Sequence, residues 1–139
     1  MPAMISENEK RVRAFYDATV PGHREATRGL EAPDVIYDIP AGMPVGAGYF
    51  EGLESVLEGF LGTFYAAFDV RFLPEEFIVS EDAVVVLGRI TGKVRKTGLA
   101  IDVPFAHVWT VQGGYLRRLR AFTDTAVLTD SLRNEGLRA

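Results

Sequence analysis

The 139-residue sequence contains no cysteine. That removes disulfides, thiolate metal ligands and cysteine nucleophiles together, and it fits a reducing cytoplasm. Histidine occurs only twice, with no HExxH or related spacing, so no metal site is expected. The glycine pairs match no phosphate-loop spacing, and no cofactor is expected either. No apolar run approaches the roughly 18 residues of a membrane span. The N-terminus turns polar within ten residues and lacks a signal-peptide pattern. Basic residues are in the minority, 15 Lys and Arg against 19 Asp and Glu, for a net charge of −4. The arginines of 117–120 alternate in facing, so no basic stripe marks a nucleic-acid partner.

What is present is an ordinary globular composition, 47% hydrophobic and 24% charged, in a length suited to one domain, residues 1–139. The most informative stretch is Pro104–Asp124. It reads as two strands joined at Gly113-Gly114. Side chains alternate along a strand, which groups Phe105, His107, Trp109 and Val111 on one face. On the next strand Leu116, Arg118, Arg120, Phe122 and Asp124 share a face. Aromatics mixed with a His, an Arg and a terminal Asp do not suit a purely aliphatic core.

Upstream, Ser6 and Glu9 form a capping box with Ile5 as staple. They open a helix to about Val20 that buries Val12, Phe15, Tyr16 and Thr19 and stops at Pro21-Gly22. A short second helix is expected over His23–Leu30, then a strand, Val35–Ile39. Val35, Tyr37 and Ile39 face one way there, Ile36 and Asp38 the other. Pro40–Gly48 is a Gly- and Pro-rich loop, a candidate pocket rim. The best helix signal follows, with Leu53, Val56, Leu57, Phe60, Leu61, Phe64 and Phe68 at 3–4 spacing. Beyond Asp69 the period becomes two. Val70–Ser80 is broken by Pro74, which places it at a sheet edge or bulge. Ala83–Lys93, Leu99–Gln112 and Tyr115–Thr123 complete a four-stranded antiparallel meander, and Asp124 or Thr125 can cap a last helix, Ala126–Arg133. The layout is α+β, with about three helices wrapped by a curved, cone-shaped sheet. Three helices cannot fill such a hollow, so a pocket is expected.

The FYDA of the first helix, VIYDIPAG, YFEGLESVLEGF and VPFAHVWTVQGGYLRRLRAFTDTA together resemble the SnoaL-like, or nuclear transport factor two-like, superfamily over residues 6–133. The resemblance implies a cystatin-like α+β barrel. It spans isomerases, epoxide hydrolases, polyketide cyclases, dehydratases and members with no catalysis, so fold alone does not transfer an activity. Asp38, in YDIPAG, falls where ketosteroid isomerase carries its general-base Asp. Tyr16 matches that enzyme's oxyanion Tyr with a one-residue gap; without the gap Phe15 matches. Arg89 and Asp124 fall on the Arg and one Asp of the limonene-epoxide hydrolase site, whose other Asp is Thr91 here. His107 with Asp124 looks like the polyketide-cyclase pair.

These readings converge on a small-molecule protein acting on an apolar cyclic or carbonyl-bearing metabolite. As a cofactor-free acid/base enzyme (isomerase, cyclase, dehydratase or hydrolase), it would move protons with Asp38, His107 and Asp124. Arg89 would hold an anion or water. Tyr16, Tyr37, Phe60, Phe64, Phe105, Trp109 and Arg120 would line the pocket, with an Arg120–Asp124 ion pair possible. Asp124 also has a simpler use as a helix cap, and His107 as a hydrogen-bonded core residue. The second reading is a non-catalytic ligand-binding or dimerisation module. In either, Ala106, Val108 and Thr110 with Leu119 and Ala121 form an outer apolar patch that suits a homodimer.

Overall fold

The computed structural model describes residues 6–19 and 27–133. Helix α1, Glu7–Ala18, starts where Ser6 accepts a hydrogen bond from the Glu9 N–H at 3.0 Å, and it buries Val12, Phe15 and Tyr16. The expected stop at Pro21-Gly22 and the staple Ile5 lie outside the described residues, as do residues 23–26 of the expected second helix. Beyond them Arg28 bridges to Glu31, and residues 29–30 form a turn rather than helix.

Strand β1, Glu31–Ile39, begins four residues before the expected Val35. The loop after Pro40 ends in a short strand that the sequence does not announce, β2, Gly48–Glu51, paired antiparallel to β1. Helix α2 covers residues 53–67. Its middle turn, Val56–Leu61, is π-wound between α-helical Leu53–Ser55 and Gly62–Ala67. Phe68, expected as its last apolar residue, is instead the first residue of β3, Phe68–Val79. The meander continues through β4, Ala83–Val94, β5, Ala100–Gln112, and β6, Tyr115–Thr123. Helix α3, Thr125–Arg133, follows.

The architecture is α+β, with an open, curved sheet in the order β2-β1-β6-β5-β4-β3. Strand β3 lies at the edge and shifts register between Pro74 and Glu76. Both follow from a proline that cannot donate to a ladder. β1 lies parallel to β6, a pairing across some eighty residues that closes the other half of the sheet.

One irregularity reorganises the site. Val111 pairs with Leu116 but Thr110 pairs with Arg118, so Arg117 is an extra residue in β6. A single extra residue turns every later side chain to the opposite face. Leu116 is buried as expected, but beyond the bulge Leu119 and Ala121 point inward while Arg118, Arg120 and Phe122 point outward. The expected grouping of Arg118, Arg120, Phe122 and Asp124 with Leu116 is therefore corrected. So is the placing of Leu119 and Ala121 on the outer patch.

Candidate functional site

The inner sheet face, α1 and α2 enclose a narrow cavity of about 30 Å³. A neighbouring lobe of about 20 Å³ shares its walls Phe60, Phe72, His107 and Ala121. Tyr16, Tyr37 and Phe60 line the main cavity, and Phe64 lines the lobe. Phe15 and Tyr16 both border the main cavity, so the two alignments of the first helix are not alternatives in space. Among the described residues no Asp, Glu, Lys or Arg lines either space.

The polar centre is a chain of three side chains. Trp109 Nε1 donates to the Tyr16 hydroxyl oxygen at 2.9 Å, and Tyr16 Oη lies 2.6 Å from His107 Nδ1. With the indole N–H already directed at the oxygen, the phenol hydrogen is free to donate to Nδ1. A phenol hydrogen donated to Nδ1 leaves the proton of a neutral imidazole on Nε2. Phe105 packs against the imidazole, with ring centroids 4.3 Å apart. His107 is only 7% exposed. Burial pushes its pKa down to about 3, because the charged form has lost its water. The ring is therefore a neutral donor at neutral pH. Burial likewise raises the Tyr16 hydroxyl far above its ordinary value, and the Trp109 hydrogen bond offsets this in part.

His107 does not pair with Asp124. Asp124 sits at the end of β6, where its Oδ1 accepts the Val127 N–H at 3.2 Å and caps α3. The bulge at Arg117 also removes Arg120 from the cavity. Arg120 is exposed, with its guanidinium 5.7 Å from the Phe122 ring. Asp38 lies on the outer face, 3.2 Å from Arg118 Nη2. Arg89 is on the same outer face and donates through Nε to Asp102 at 2.6 Å. Arg89 and Asp124 do approach a common shallow groove, but it lies outside the cavity. Phe105 and Trp109 are buried behind the imidazole and the phenol rather than in the cavity wall.

Three residues outside the expected set matter. Phe72, on β3, forms a wall of both spaces; its alternation with Val70 is the sequence signal. Tyr65 lines the cavity, and its buried hydroxyl has no hydrogen-bond partner among the described residues. Burial pushes that hydroxyl up to about 12. Its signal was the i+4 step from Leu61. Glu31 is 2% exposed and accepts the Tyr37 hydroxyl through Oε2 at 2.8 Å. Burial raises its pKa, and the hydrogen bonds from Tyr37 and Thr27 lower it by less. No local pattern marks a glutamate ahead of the expected strand as buried.

A profile of the SnoaL-like domain matches residues 12–119, most of the chain. The chain belongs to the SnoaL-like domain family. This SnoaL-like chain is similar to an NTF2-like protein of unknown function from Burkholderia pseudomallei K96243. The identity is 29%, over 91% of this chain and 98% of that one, with a TM-score of 0.83. It is also similar to TerC, crystallised with polyporic acid, at 27% identity over 92% and 99% of the two chains, TM-score 0.82. A candidate SnoaL-like polyketide cyclase from Jannaschia sp. CCS1 shares the fold at 23% identity, over 94% and 96%, TM-score 0.79. No protein of curated function matches the sequence. Within the SnoaL-like chain, no described helix is long and apolar enough to cross a membrane.

Proposed function

We propose that this SnoaL-like protein binds a neutral, apolar, carbonyl-bearing cyclic metabolite and acts on it by cofactor-free acid/base chemistry. The observation that carries the reading is the Trp109–Tyr16–His107 chain, which presents a neutral imidazole to an uncharged cavity. A substrate carbonyl accepting the His107 Nε2–H would be polarised. As charge develops on that oxygen, the hydrogen bond strengthens in a low-dielectric setting. A buried neutral imidazole is well suited to this, since it donates without first having to lose a charge. With no ionised base on the walls, the fitting reactions are those in which the polarised substrate loses its carbon-bound proton to water. Enolisation, and isomerisation or cyclisation through an enol, meet that condition. The TerC structure with polyporic acid and the polyketide-cyclase relative support a small organic ligand for this fold.

The test is deuterium exchange beside the carbonyl of 1-tetralone, followed by NMR. The wild-type protein should accelerate exchange over buffer, and His107→Phe should remove the acceleration even at ketone concentrations that saturate its weakened binding. Bound ketone that exchanges no faster than in buffer would overturn the enzymatic reading. It would favour the second one, a non-catalytic ligand-binding module. A specific observation supports that alternative: both expected carboxylates, Asp38 and Asp124, lie away from the cavity.

The proposal places one domain in the cytoplasm, consistent with the cysteine-free composition, and pairs two copies through the outer sheet face. Val85, Leu87, Ala106 and Val108 alternate with the buried residues there. They are flanked by the Arg118–Asp38 and Arg89–Asp102 pairs. An apolar centre bordered by both signs of charge suits a self-complementary two-fold contact.

A further inference from the structure

Tyr65 lines the cavity, and the Trp109–Tyr16–His107 chain leaves its buried hydroxyl unexplained. Tyr65 comes from α2, on the helical wall, whereas His107 comes from β5, on the sheet wall. Its oxygen is buried and has no partner among the described residues. Its backbone is held, since Arg95 Nε donates to the Tyr65 carbonyl at 2.5 Å, and its ring meets Phe64 edge-on at 5.4 Å. The side chain is thus fixed with a buried donor unused. A buried donor left unpaired is destabilising, and a phenylalanine would fill the same wall without that cost. Tyrosine at this position is best explained by a ligand that completes it.

We infer that Tyr65 is a specificity-determining residue, donating to a second oxygen of the ligand across the cavity from the oxygen to which His107 Nε2–H donates. The inference rests on the ligand-binding reading above and sharpens it. The preferred ligand carries two acceptor oxygens on an apolar ring system, with no charged group. A site built to pair a donor discriminates against analogues lacking the acceptor far better than an apolar wall can sense a missing methylene.

The experiment compares three bicyclic probes by calorimetry: naphthalene with no oxygen, 1-tetralone with one, and 1,4-naphthoquinone with two. The chain has no cysteine for the quinone to alkylate. Wild-type protein, Tyr65→Phe and His107→Phe are compared, each also melted without ligand. Tyr65→Phe should weaken naphthoquinone about tenfold and leave naphthalene and tetralone unchanged. His107→Phe should weaken both oxygenated probes. Unliganded Tyr65→Phe should melt at or above the wild-type temperature, because the removed hydroxyl had no partner. Equal losses for all three probes, or no loss for naphthoquinone, would show that Tyr65 is only wall. A matching loss for tetralone would show that it shares the His107 oxygen. Either result overturns the inference, as does a fall of several degrees in the unliganded melt. If wild-type protein binds none of the three, the ligand-binding reading fails first and takes this inference with it. Normal naphthalene binding with an unaltered Tyr65→Phe profile removes the inference alone.

Discussion

The site depends on three hydrogen-bonded side chains whose burial determines their protonation. The 3.5-unit gap between about 3 for His107 in the folded protein and 6.5 unfolded sets a direction. The unfolded chain binds the extra proton between those values. The folded state therefore keeps its full advantage above about pH 6.5 and loses it as pH falls toward 3, by at most about 1.4 kcal/mol per unit. Urea denaturation between pH 7 and 4 should show the stability gap between wild type and His107→Phe narrowing as acid is added. Glu31 acts in the opposite direction. Its folded pKa lies above the unfolded 4.5, so its contribution is complete below about 4.5 and is lost as pH rises through the folded value. Glu31→Gln should therefore gain thermal stability relative to wild type as the pH of the melt increases from 4.5 to 9. Tyr16→Phe strands both the Trp109 indole N–H and His107 Nδ1. It should lower unfolding free energy by ~2–4 kcal/mol, at ~1–2 for each buried group left unpaired, as read by urea titration. Of this residue-level picture, His107 was legible because it interrupts an aromatic strand face. Its partner was not, since Tyr16 is 91 positions away and helix periodicity gives a side chain's facing without naming what it meets.

At the level of elements, two features place the catalytic candidates. The first is the extra residue at Arg117, which removes Arg120 and Phe122 from the interior and substitutes Leu119 and Ala121. Alternation of hydrophobicity in YLRRLRAF is ambiguous, because Leu116 and Leu119 are three apart. Only the register against β5 resolves it. The second is the capping use of Asp124. Asp124→Ala should cost about 1 kcal/mol of stability, measured by denaturant titration, with probe affinity in the cavity unchanged. Gly88, in β4, is tightly enclosed. A Cβ there would lie 2.2 Å from the Leu73 carbonyl oxygen and 2.8 Å from the Phe105 ring. Backbone cannot yield as a flexible side chain can, so Gly88→Ala should pull β3 away from β4. Hydrogen exchange should show lost protection along β3 before the rest of the sheet. The edge position and bulge of β3 were readable from Pro74 alone. Strand β2 was not, since four exposed or half-buried residues after a Gly-rich loop carry no periodic signal.

For the whole molecule, the sequence discloses the α+β layout and the long meander, because each consecutive hairpin is a local pattern. It does not disclose that β1 lies parallel to β6, a pairing that joins distant segments and leaves no local trace. The consequence is a sheet whose outer face is continuous across all six strands, the surface proposed for self-association. Val108→Glu, at the apolar centre of that face, should convert a dimer to a monomer in sedimentation velocity. Cavity binding of naphthalene should persist, since Val108 lies on the strand face opposite His107 and Trp109. A wild-type chain that sediments as a monomer at tens of micromolar would exclude this association.

The β1–β6 pairing also bears on how the protein is made. Tyr16 leaves the ribosome some 91 residues before its partner His107 and 93 before Trp109, and β1 likewise precedes the strand that seals it. Contacts this remote in sequence delay productive collapse. During translation the aromatic lining of α1 and α2 stays uncovered until β5 and β6 have been made. Nascent-chain escort, or a host's tolerance of half-built intermediates, would then govern yield as much as the strength of the finished core.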